Sequence, residues 1–200
     1  MLDSAHSDVA DTYLRGDEIP VKIVVAGHFG VGKTTLVSTL SEIRPLSTEE
    51  VMTEASVGTD DLKGLPEKKS TTVAMDFGRI TLDDRLVLYL FGAPGQERFW
   101  PLLKDLCLGA LGALVLVDTR RLGDSYPVMG MLEELGLPYA VAVNHFPDSP
   151  TYPVDQLRQA MDLEEDTPLV VCDARERASA REALIALAEY LLTLIPEHAA

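Results

Sequence analysis

The 200-residue sequence predicts a three-layer α/β/α sandwich, with helices on both faces of a mostly parallel six-stranded sheet that has one antiparallel edge strand. Three observations lead to this prediction. Short apolar runs alternate with stretches of helical periodicity along most of the chain. The first apolar run leads directly into a glycine-rich turn and a helix. Two later runs are joined by a connection that is too short for a parallel crossover.

The glycine-rich turn is the most specific feature. Residues 27–34, GHFGVGKT, follow the apolar run 21–26 and fit the phosphate-binding pattern of glycine, four residues, glycine, lysine, and serine or threonine. Lys33 is placed to reach the β- and γ-phosphates of a nucleotide, and the Thr34 hydroxyl to ligate Mg²⁺. The sequence therefore predicts a P-loop NTPase. The predicted contacts in this loop are Gly27, Phe29, Gly30, Val31, Gly32, Lys33, Thr34 and Thr35.

The other strands and helices follow from the hydrophobic pattern. Strand-sized apolar runs, bounded by turn residues, lie at 21–26, 86–91, 112–118, 139–143 and 168–172. Helical patterns lie at 33–42, 99–107, 125–136, 153–161 and 176–194. Strands that alternate with helices form parallel sheets covered on both faces, and this is why a three-layer arrangement is expected.

One pair of strands departs from the alternation. Residues 71–82 and 86–91 are separated by three residues, so they are expected to pair antiparallel and to place one reversed strand at the edge of the sheet. The preceding stretch 43–70 is polar, broken by proline and long for a connection. Loops of this length are usually functional or disordered, and this one is expected to be a switch loop.

The composition limits the function classes. A formal net charge of -15 opposes binding to nucleic acid. No apolar stretch reaches the roughly 20 residues of a membrane span, so no direct membrane insertion is expected. Cys107 and Cys172 lie in apolar surroundings and are expected to be buried thiols in a reducing cytoplasm. Residues 1–18 are predicted to be a mobile acidic tail, and 19–196 a single domain.

Five further motifs carry a family resemblance. They are TTVAMDFGRI at 71–80, LFGAPGQERFW at 90–100, LGALVLVDTRR at 111–121, AVAVNHF at 140–146 and VCDARER at 171–177. With the P-loop, they make the chain resemble the Ras-like small GTPases over residues 20–195. More closely it resembles the bacterial branch of actinobacterial conservon operons, which is related to the polarity GTPases of gliding bacteria. The resemblance implies GTP or GDP and Mg²⁺ as cofactors.

The resemblance also implies two switch segments. Thr72, or Thr71 as the fallback, would close over the γ-phosphate and enter the metal shell, although both threonines also suit the start of a strand. Gly95 would donate its N–H to the γ-phosphate, and Gln96 would orient the attacking water. The residues implied in catalysis are Gln96, Lys33 and Thr72, and the implied metal ligands are Thr34 and Thr72.

The base-binding motifs match the family in part. Asn144 is implied to contact the base and to brace the P-loop, and His145 and Phe146 follow it. The carboxylate that selects guanine is displaced by one residue, to Asp148, which weakens discrimination against adenine by about 1–3 kcal/mol if it fails to reach the base. The last motif supplies Asp173, Ala174 and Arg175, of which Ala174 would offer its N–H to the guanine oxygen.

Two positions depart from the family pattern. Gly92 stands where most Ras-like proteins have an aspartate that holds a magnesium-bound water, and its loss is expected to weaken magnesium binding. Asp118 is another acidic candidate, which on family topology supports the P-loop from behind. Phe29 stands where many eukaryotic members have glycine, and it competes for space with Gln96 and with an arginine finger worth about 10³ or more in rate. Slow hydrolysis is expected.

These features predict a cytosolic GTP-binding switch that hydrolyses GTP slowly, with any membrane recruitment occurring through partners. The resemblance implies roadblock-type and sensor-kinase-like proteins of the same operon as those partners. Two alternatives stay open: a guanine-nucleotide-binding scaffold that does not hydrolyse, and an ATP-binding P-loop protein. Phe99 and Trp100, next to the second switch, suit a partner-binding patch and core packing equally.

Overall fold

A computed structural model describes residues 17–44, 46–52 and 71–195. The strands are β1 (Ile19–Ala26), β2 (Leu46–Met52), β3 (Thr71–Thr81), β4 (Leu86–Gly92), β5 (Gly112–Val117), β6 (Tyr139–Asn144) and β7 (Leu169–Cys172). The helices are α1 (Lys33–Leu40), α2 (Trp100–Cys107), α3 (Tyr126–Glu134), α4 (Val154–Ala160) and α5 (Arg177–Thr193). Most of the predicted tail, and 53–70 of the predicted switch loop, lie outside the described residues.

The strands form one seven-stranded sheet in the order β2-β3-β4-β1-β5-β6-β7. β4, β1, β5, β6 and β7 are mutually parallel, and β3 runs against them. The α/β P-loop fold with one reversed strand is therefore confirmed.

The described residues form one strand more than the six predicted, and the reversed strand β3 is not at the edge. β2 pairs antiparallel with β3 from Leu46↔Phe77 to Met52↔Thr71, so β2 is the edge strand and β3 is second from the edge. The β2 sequence LSTEEVM has few apolar residues. An edge strand is held largely by backbone hydrogen bonds, and charged side chains on it are common, so its hydrophobic pattern is weak.

The two faces of the sheet bury two separate apolar clusters. In β1, Ile23 and Val25 belong to the cluster beneath α1 and α5, whereas Val24 and Ala26 belong to the cluster beneath α2, α3 and α4. This alternation is the two-residue period of a strand covered on both sides. Burying both faces fixes the direction of every strand end, and so positions the loops that follow.

The loops after β1, β4, β5, β6 and β7 leave the sheet at its carboxyl edge, which is where open α/β sheets bind ligands. These loops contain the P-loop, residues 93–97, which are the predicted second switch segment, and the motifs around Asp118, Asn144 and Asp173. Both cysteines are buried as predicted. Within the described residues, no helix is long and apolar enough to cross a membrane.

Candidate functional site

The P-loop connects β1 to α1. All three of its glycines adopt positive φ, at 134° for Gly27, 80° for Gly30 and 105° for Gly32, as the pattern predicts. Gly32 also has no room for a side chain, because a Cβ there would lie 2.5 Å from the amide nitrogen of Asn144. Val31 between them is fully buried. The buried Val31 side chain therefore anchors the loop to the core, and the loop backbone faces the carboxyl edge of the sheet.

Lys33 folds back over this loop. Its Nζ donates to the carbonyl oxygens of Gly27, at 2.8 Å, and His28, at 2.7 Å, and the residue is 8% exposed. Burial lowers the pKa of Lys33 to about 8, and the nearby charge of Asp76 partly opposes that shift. The ammonium thus lies at the P-loop, where a phosphate would meet it.

The sequence reasoning missed one residue that the structure places at the site. Thr34 Oγ1 donates to Asp76 Oδ2 at 2.5 Å, and Asp76 is 8% exposed. In the β3–β4 ladder, Asp76 pairs with Gly92. In the sequence, this residue is an aspartate in the reversed strand, and it pairs with the glycine that stands where the family has its usual carboxylate. That pairing can be recognised only when the register of the hairpin is known.

These two residues fit a magnesium ion. Mg²⁺ is a hard cation that binds oxygen, commonly through one or two carboxylates with phosphate oxygens and water. A hydroxyl and a carboxylate in contact supply such oxygens. Among the described residues no group of three or more His, Cys, Asp and Glu side chains could hold a metal by itself. The protein thus supplies some of the oxygen ligands of a magnesium site, and the phosphates of a nucleotide would supply others.

The second switch segment closes the other side of the site. A cavity of about 450 Å³ lies between it and the P-loop, and Asp76, Gly95 and Gln96 line it. Its P-loop lining consists of Phe29, Gly30, Gly32, Lys33, Thr34 and Thr35. Gly95 packs so tightly that a Cβ there would lie 2.5 Å from the backbone of His28 and Phe29. Only glycine fits this approach.

Thr72 is a predicted site residue of which the structure describes the backbone alone. Its backbone lies near the start of β3 and pairs with Val51 of β2. It stands four residues from Asp76, which corresponds to about 13 Å along a strand. The predicted role concerns the Thr72 hydroxyl, which lies outside the described part of the structure, as does the side chain of Thr71. Both roles stay predictions.

Asn144 braces two loops at the end of β6. Its side-chain nitrogen donates to the Val31 carbonyl at 2.9 Å, and its side-chain oxygen accepts from the Ala174 N–H at 2.9 Å. Asn144 is 4% exposed and Ala174 is 1% exposed. The implied bracing of the P-loop is therefore present. The Ala174 N–H, which the resemblance directs toward a guanine oxygen, is bonded to Asn144.

Asp173 and Arg175 form an ion pair beside this brace. The Arg175 guanidinium donates to both carboxylate oxygens of Asp173, at 2.9 and 2.6 Å. Hydrogen bonds from the Arg175 side chain and backbone lower the pKa of Asp173 to about 2. The neighbouring charge of His145, which is exposed, acts in the same direction. The loop after β7 therefore carries an ionised carboxylate next to Ala174.

A second ion pair lies under the loop that follows β6. Arg120 donates to the Asp118 carboxylate, with a shortest contact of 2.7 Å, and its guanidinium carbon lies 4.1 Å from the centre of the Phe146 ring. Burial opposes ionisation of Asp118, but the Arg120 hydrogen bonds hold the pKa of Asp118 below its usual range. The hydrogen bonds to Asp118 raise the pKa of Arg120, and the charge of the exposed Asp148 adds to this shift. The displaced carboxylate therefore acts on Arg120.

A smaller cavity of about 320 Å³ lies on the other side of the P-loop, between the second switch segment and α3. His28 and Trp100 line it, with the ion pair of Arg121 and Asp124. Phe99 is 7% exposed, and Trp100 packs against the cluster beneath α2. Phe99 is therefore buried and lines the larger cavity, whereas Trp100 borders both the core and the smaller cavity.

Comparison with known proteins places the fold. A family model described as "Conserved hypothetical ATP binding protein" matches residues 25–194. No curated protein matches the chain. Among solved structures, the cytosolic domain of the FeoB iron transporter of T. maritima in a GDP form has a TM-score of 0.63 at 17% identity. That match covers 90% of this chain and 66% of the other, so the chain spans about two thirds of that domain's length.

Two isolated G domains match over nearly their whole length. The G domain of T. maritima FeoB has a TM-score of 0.58 at 19% identity, over 86% of this chain and 99% of that one. The FeoB G-domain from Methanococcus jannaschii has a TM-score of 0.57 at 15% identity, over 86% and 98%. At these identities, the likeness establishes a common fold.

Proposed function

The chain belongs to the family described as conserved hypothetical ATP binding protein, and we propose that it is a nucleotide switch that binds GTP and hydrolyses it slowly. The observation that carries this proposal is the arrangement around the larger cavity. Lys33, Thr34 and Asp76 lie on one side of it, and Gly95 and Gln96 on the other. A P-loop, a carboxylate bonded to its threonine, and a segment that contains glycine and glutamine are the parts that phosphoryl transfer requires.

At the phosphate end, the P-loop N–H groups and Lys33 bind the phosphate oxygens. The Lys33 ammonium exchanges the carbonyl oxygens of Gly27 and His28 for phosphate, which is a stronger, charge-assisted acceptor. Thr34 and Asp76 would hold Mg²⁺, which supplies charge neutralisation of the phosphates when bound. Gly95 donates its N–H to the terminal phosphate from the opposite wall.

Gln96 is the residue that orients the attacking water. It lines the cavity next to Gly95, and it is partly buried. Phe29, which is 66% exposed, lines the same cavity and restricts the space through which an arginine from a partner would approach. Positioning of water by one side chain without an arginine finger gives slow turnover. The switch therefore stays in its triphosphate form until a partner acts.

Guanine is the proposed base. The support is the bracing of the P-loop and the β7–α5 loop by Asn144, together with the ionised Asp173, which can accept from the N–H groups on the guanine edge. ATP is the second candidate, and two observations favour it. Asp148, the displaced carboxylate, is exposed, and the family description names ATP.

Nucleotide extracted from freshly purified protein separates these candidates. Chromatography of the denatured extract is expected to yield GTP or GDP. Recovery of ATP or ADP alone would reject the guanine assignment and favour the ATP alternative. Variants Asp148→Ala and Asp173→Ala, assayed for the ratio of GDP to ADP affinity, then identify which carboxylate reads the base.

Hydrolysis is tested by single-turnover phosphate release. Gln96→Ala is expected to slow release by about 10²-fold or more, because the attacking water loses its positioning group. The matched control is Gln156→Ala, since Gln156 is an exposed glutamine on α4. Equal rates in the wild type and Gln96→Ala would instead support the non-hydrolysing scaffold.

The same proposal includes the partners and the place of action. The partners are roadblock-type and sensor-kinase-like proteins, and the switch acts in the cytoplasm and is recruited to the membrane through them.

A further inference from the structure

We propose that Asp76 supplies the magnesium-site carboxylate that position 92 lacks, so that the carboxylate has moved from β4 to the neighbouring strand β3. The inference rests on the proposed nucleotide site and names a metal-binding residue within it. P-loop NTPases hold Mg²⁺ with the P-loop serine or threonine and with an aspartate at the end of a neighbouring strand. Gly92 ends β4 and has no carboxylate.

Strand register places Asp76 where this aspartate is needed. Asp76 and Gly92 are directly paired in the antiparallel ladder between β3 and β4. Cα atoms of directly paired residues lie about 4.5–5.5 Å apart. Asp76 Oδ2 lies 3.1 Å from the position that a Cβ on Gly92 would take. A carboxylate on β3 therefore reaches the space that a carboxylate at the end of β4 would fill.

The contact with Thr34 has the chemistry of a metal site. The Thr34 hydroxyl donates its proton to Asp76 Oδ2 at 2.5 Å. A hydroxyl that donates its single hydrogen to a carboxylate keeps its lone pairs free for a cation. The carboxylate retains further acceptor capacity for a metal-bound water. The hydrogen bond thus aligns both oxygen donors toward the cavity of about 450 Å³ that both residues line.

The space at position 92 shows that a side chain there would crowd Asp76. A Cβ built on Gly92 would lie 3.0 Å from Asp76 Cβ and 3.1 Å from Asp76 Oδ2. Carboxylates at both positions would also repel each other. Glycine at 92 therefore leaves the space that the Asp76 carboxylate occupies.

The test measures how Mg²⁺ slows the release of a fluorescent GDP analogue. Release is followed at a series of free Mg²⁺ concentrations and with EDTA, so the readout does not depend on hydrolysis. In Asp76→Ala, the Mg²⁺ concentration that halves the release rate is expected to rise about 10- to 100-fold. Asp76→Asn keeps an acceptor for Thr34 but removes the charge, and it is expected to show a rise of the same kind.

The matched control is Asp84→Ala, because Asp84 is an exposed aspartate at the far end of the same hairpin. It is expected to keep the wild-type Mg²⁺ dependence. The double variant Asp76→Gly with Gly92→Asp returns the carboxylate to β4 and is expected to recover Mg²⁺ dependence relative to Asp76→Gly alone.

Two outcomes would overturn the proposal. One is a wild-type Mg²⁺ midpoint in both Asp76→Ala and Asp76→Asn, even if nucleotide leaves faster, since that pattern marks a purely structural residue. The other is wild-type release that is equal in Mg²⁺ and EDTA. If ADP is the nucleotide that binds, the guanine assignment fails, but the same titration with fluorescent ADP still decides the role of Asp76. If neither nucleotide binds, both proposals fail.

Discussion

At the scale of single residues, the site is built around a buried charge. The Lys33 ammonium is held by two P-loop carbonyl oxygens, and burial brings its pKa to about 8. A bound phosphate is an opposite charge close to the ammonium, and it raises the pKa again. Below about pH 8 Lys33 is already protonated in the free protein. Above that value, nucleotide binding must be accompanied by uptake of a proton.

Nucleotide affinity is therefore expected to fall with pH. Between about pH 8.5 and 9.5, the Kd for GDP is expected to rise by up to about tenfold per pH unit, with little change below about pH 7.5. Lys33→Arg is the control, because arginine stays protonated throughout this range. Titration calorimetry measures both proteins. The same pH slope in both would show that Lys33 is not the group responsible.

Gly95 gives a second prediction at this scale. In Gly95→Ala the new Cβ would lie 2.5 Å from the P-loop backbone and 2.6 Å from Lys33 Nζ, so the switch segment must move away. A displacement of about 1 Å of the reacting groups is expected to slow single-turnover hydrolysis about 10²-fold. Gly130→Ala on α3 is the control, because nothing lies within 4 Å of the position that its Cβ would take. A wild-type rate in Gly95→Ala would contradict the packing argument.

At the scale of elements, β3 is the strand that positions the inferred metal carboxylate. The end of α1 is tied to it, because Ser41 Oγ accepts from the Arg79 N–H and the Glu42 N–H donates to the Arg79 carbonyl. The Arg79 side chain pairs with Glu18, just before β1, at 3.0 Å, and both side chains are about nine-tenths buried. These contacts fix the position of β3 relative to α1, the helix that carries Thr34.

Breaking the buried ion pair is expected to destabilise the whole sheet. Arg79→Ala leaves the Glu18 carboxylate buried without this partner, and it is expected to lower the free energy of unfolding by about 3–5 kcal/mol. The double variant Glu18→Leu with Arg79→Met is expected to lose less, because the Glu18 carboxylate is removed together with this partner. Urea unfolding measures both, with exposed Arg85→Ala as the control. A double variant less stable than Arg79→Ala would contradict this account.

At the scale of the whole molecule, the ligand edge is created by burying the sheet on both faces. The two apolar clusters fix the parallel strands, and their carboxyl ends bring five loops together. In the proposed site, a nucleotide held by these loops would bridge β1, β3, β6 and β7. Ligand binding to the folded state alone therefore stabilises the entire sheet.

This bridging predicts a shift in the thermal unfolding midpoint. At 100 times its Kd, GDP with Mg²⁺ is expected to stabilise the protein by about 2.7 kcal/mol, which corresponds to a rise of about 5–10 °C for a domain of this size. Scanning calorimetry of the wild type and of Lys33→Ala checks this, and the variant is expected to show a much smaller shift. A rise with ADP and none with GDP would reject the guanine assignment.

The short-range features of this protein were predictable from its sequence. The P-loop torsions, the β–α alternation and the reversed strand depend on glycine positions, hydrophobic period and connection length, which are properties of neighbouring residues. The edge strand β2 escaped prediction because its pairing comes from backbone hydrogen bonds, and these leave little trace in side-chain pattern.

Tertiary structure decided which side chains share the site. Asp76 and Gly92 are sixteen positions apart by their numbers, and only the register of β3 against β4 places them side by side. Thr34 then reaches Asp76 because α1 packs on β3. The sequence determined that this chain has a phosphate-binding loop on a parallel sheet, since that pattern is local. Strand pairing decided the position of the Asp76 carboxylate at the site, because contacts between distant segments depend on how the whole sheet assembles.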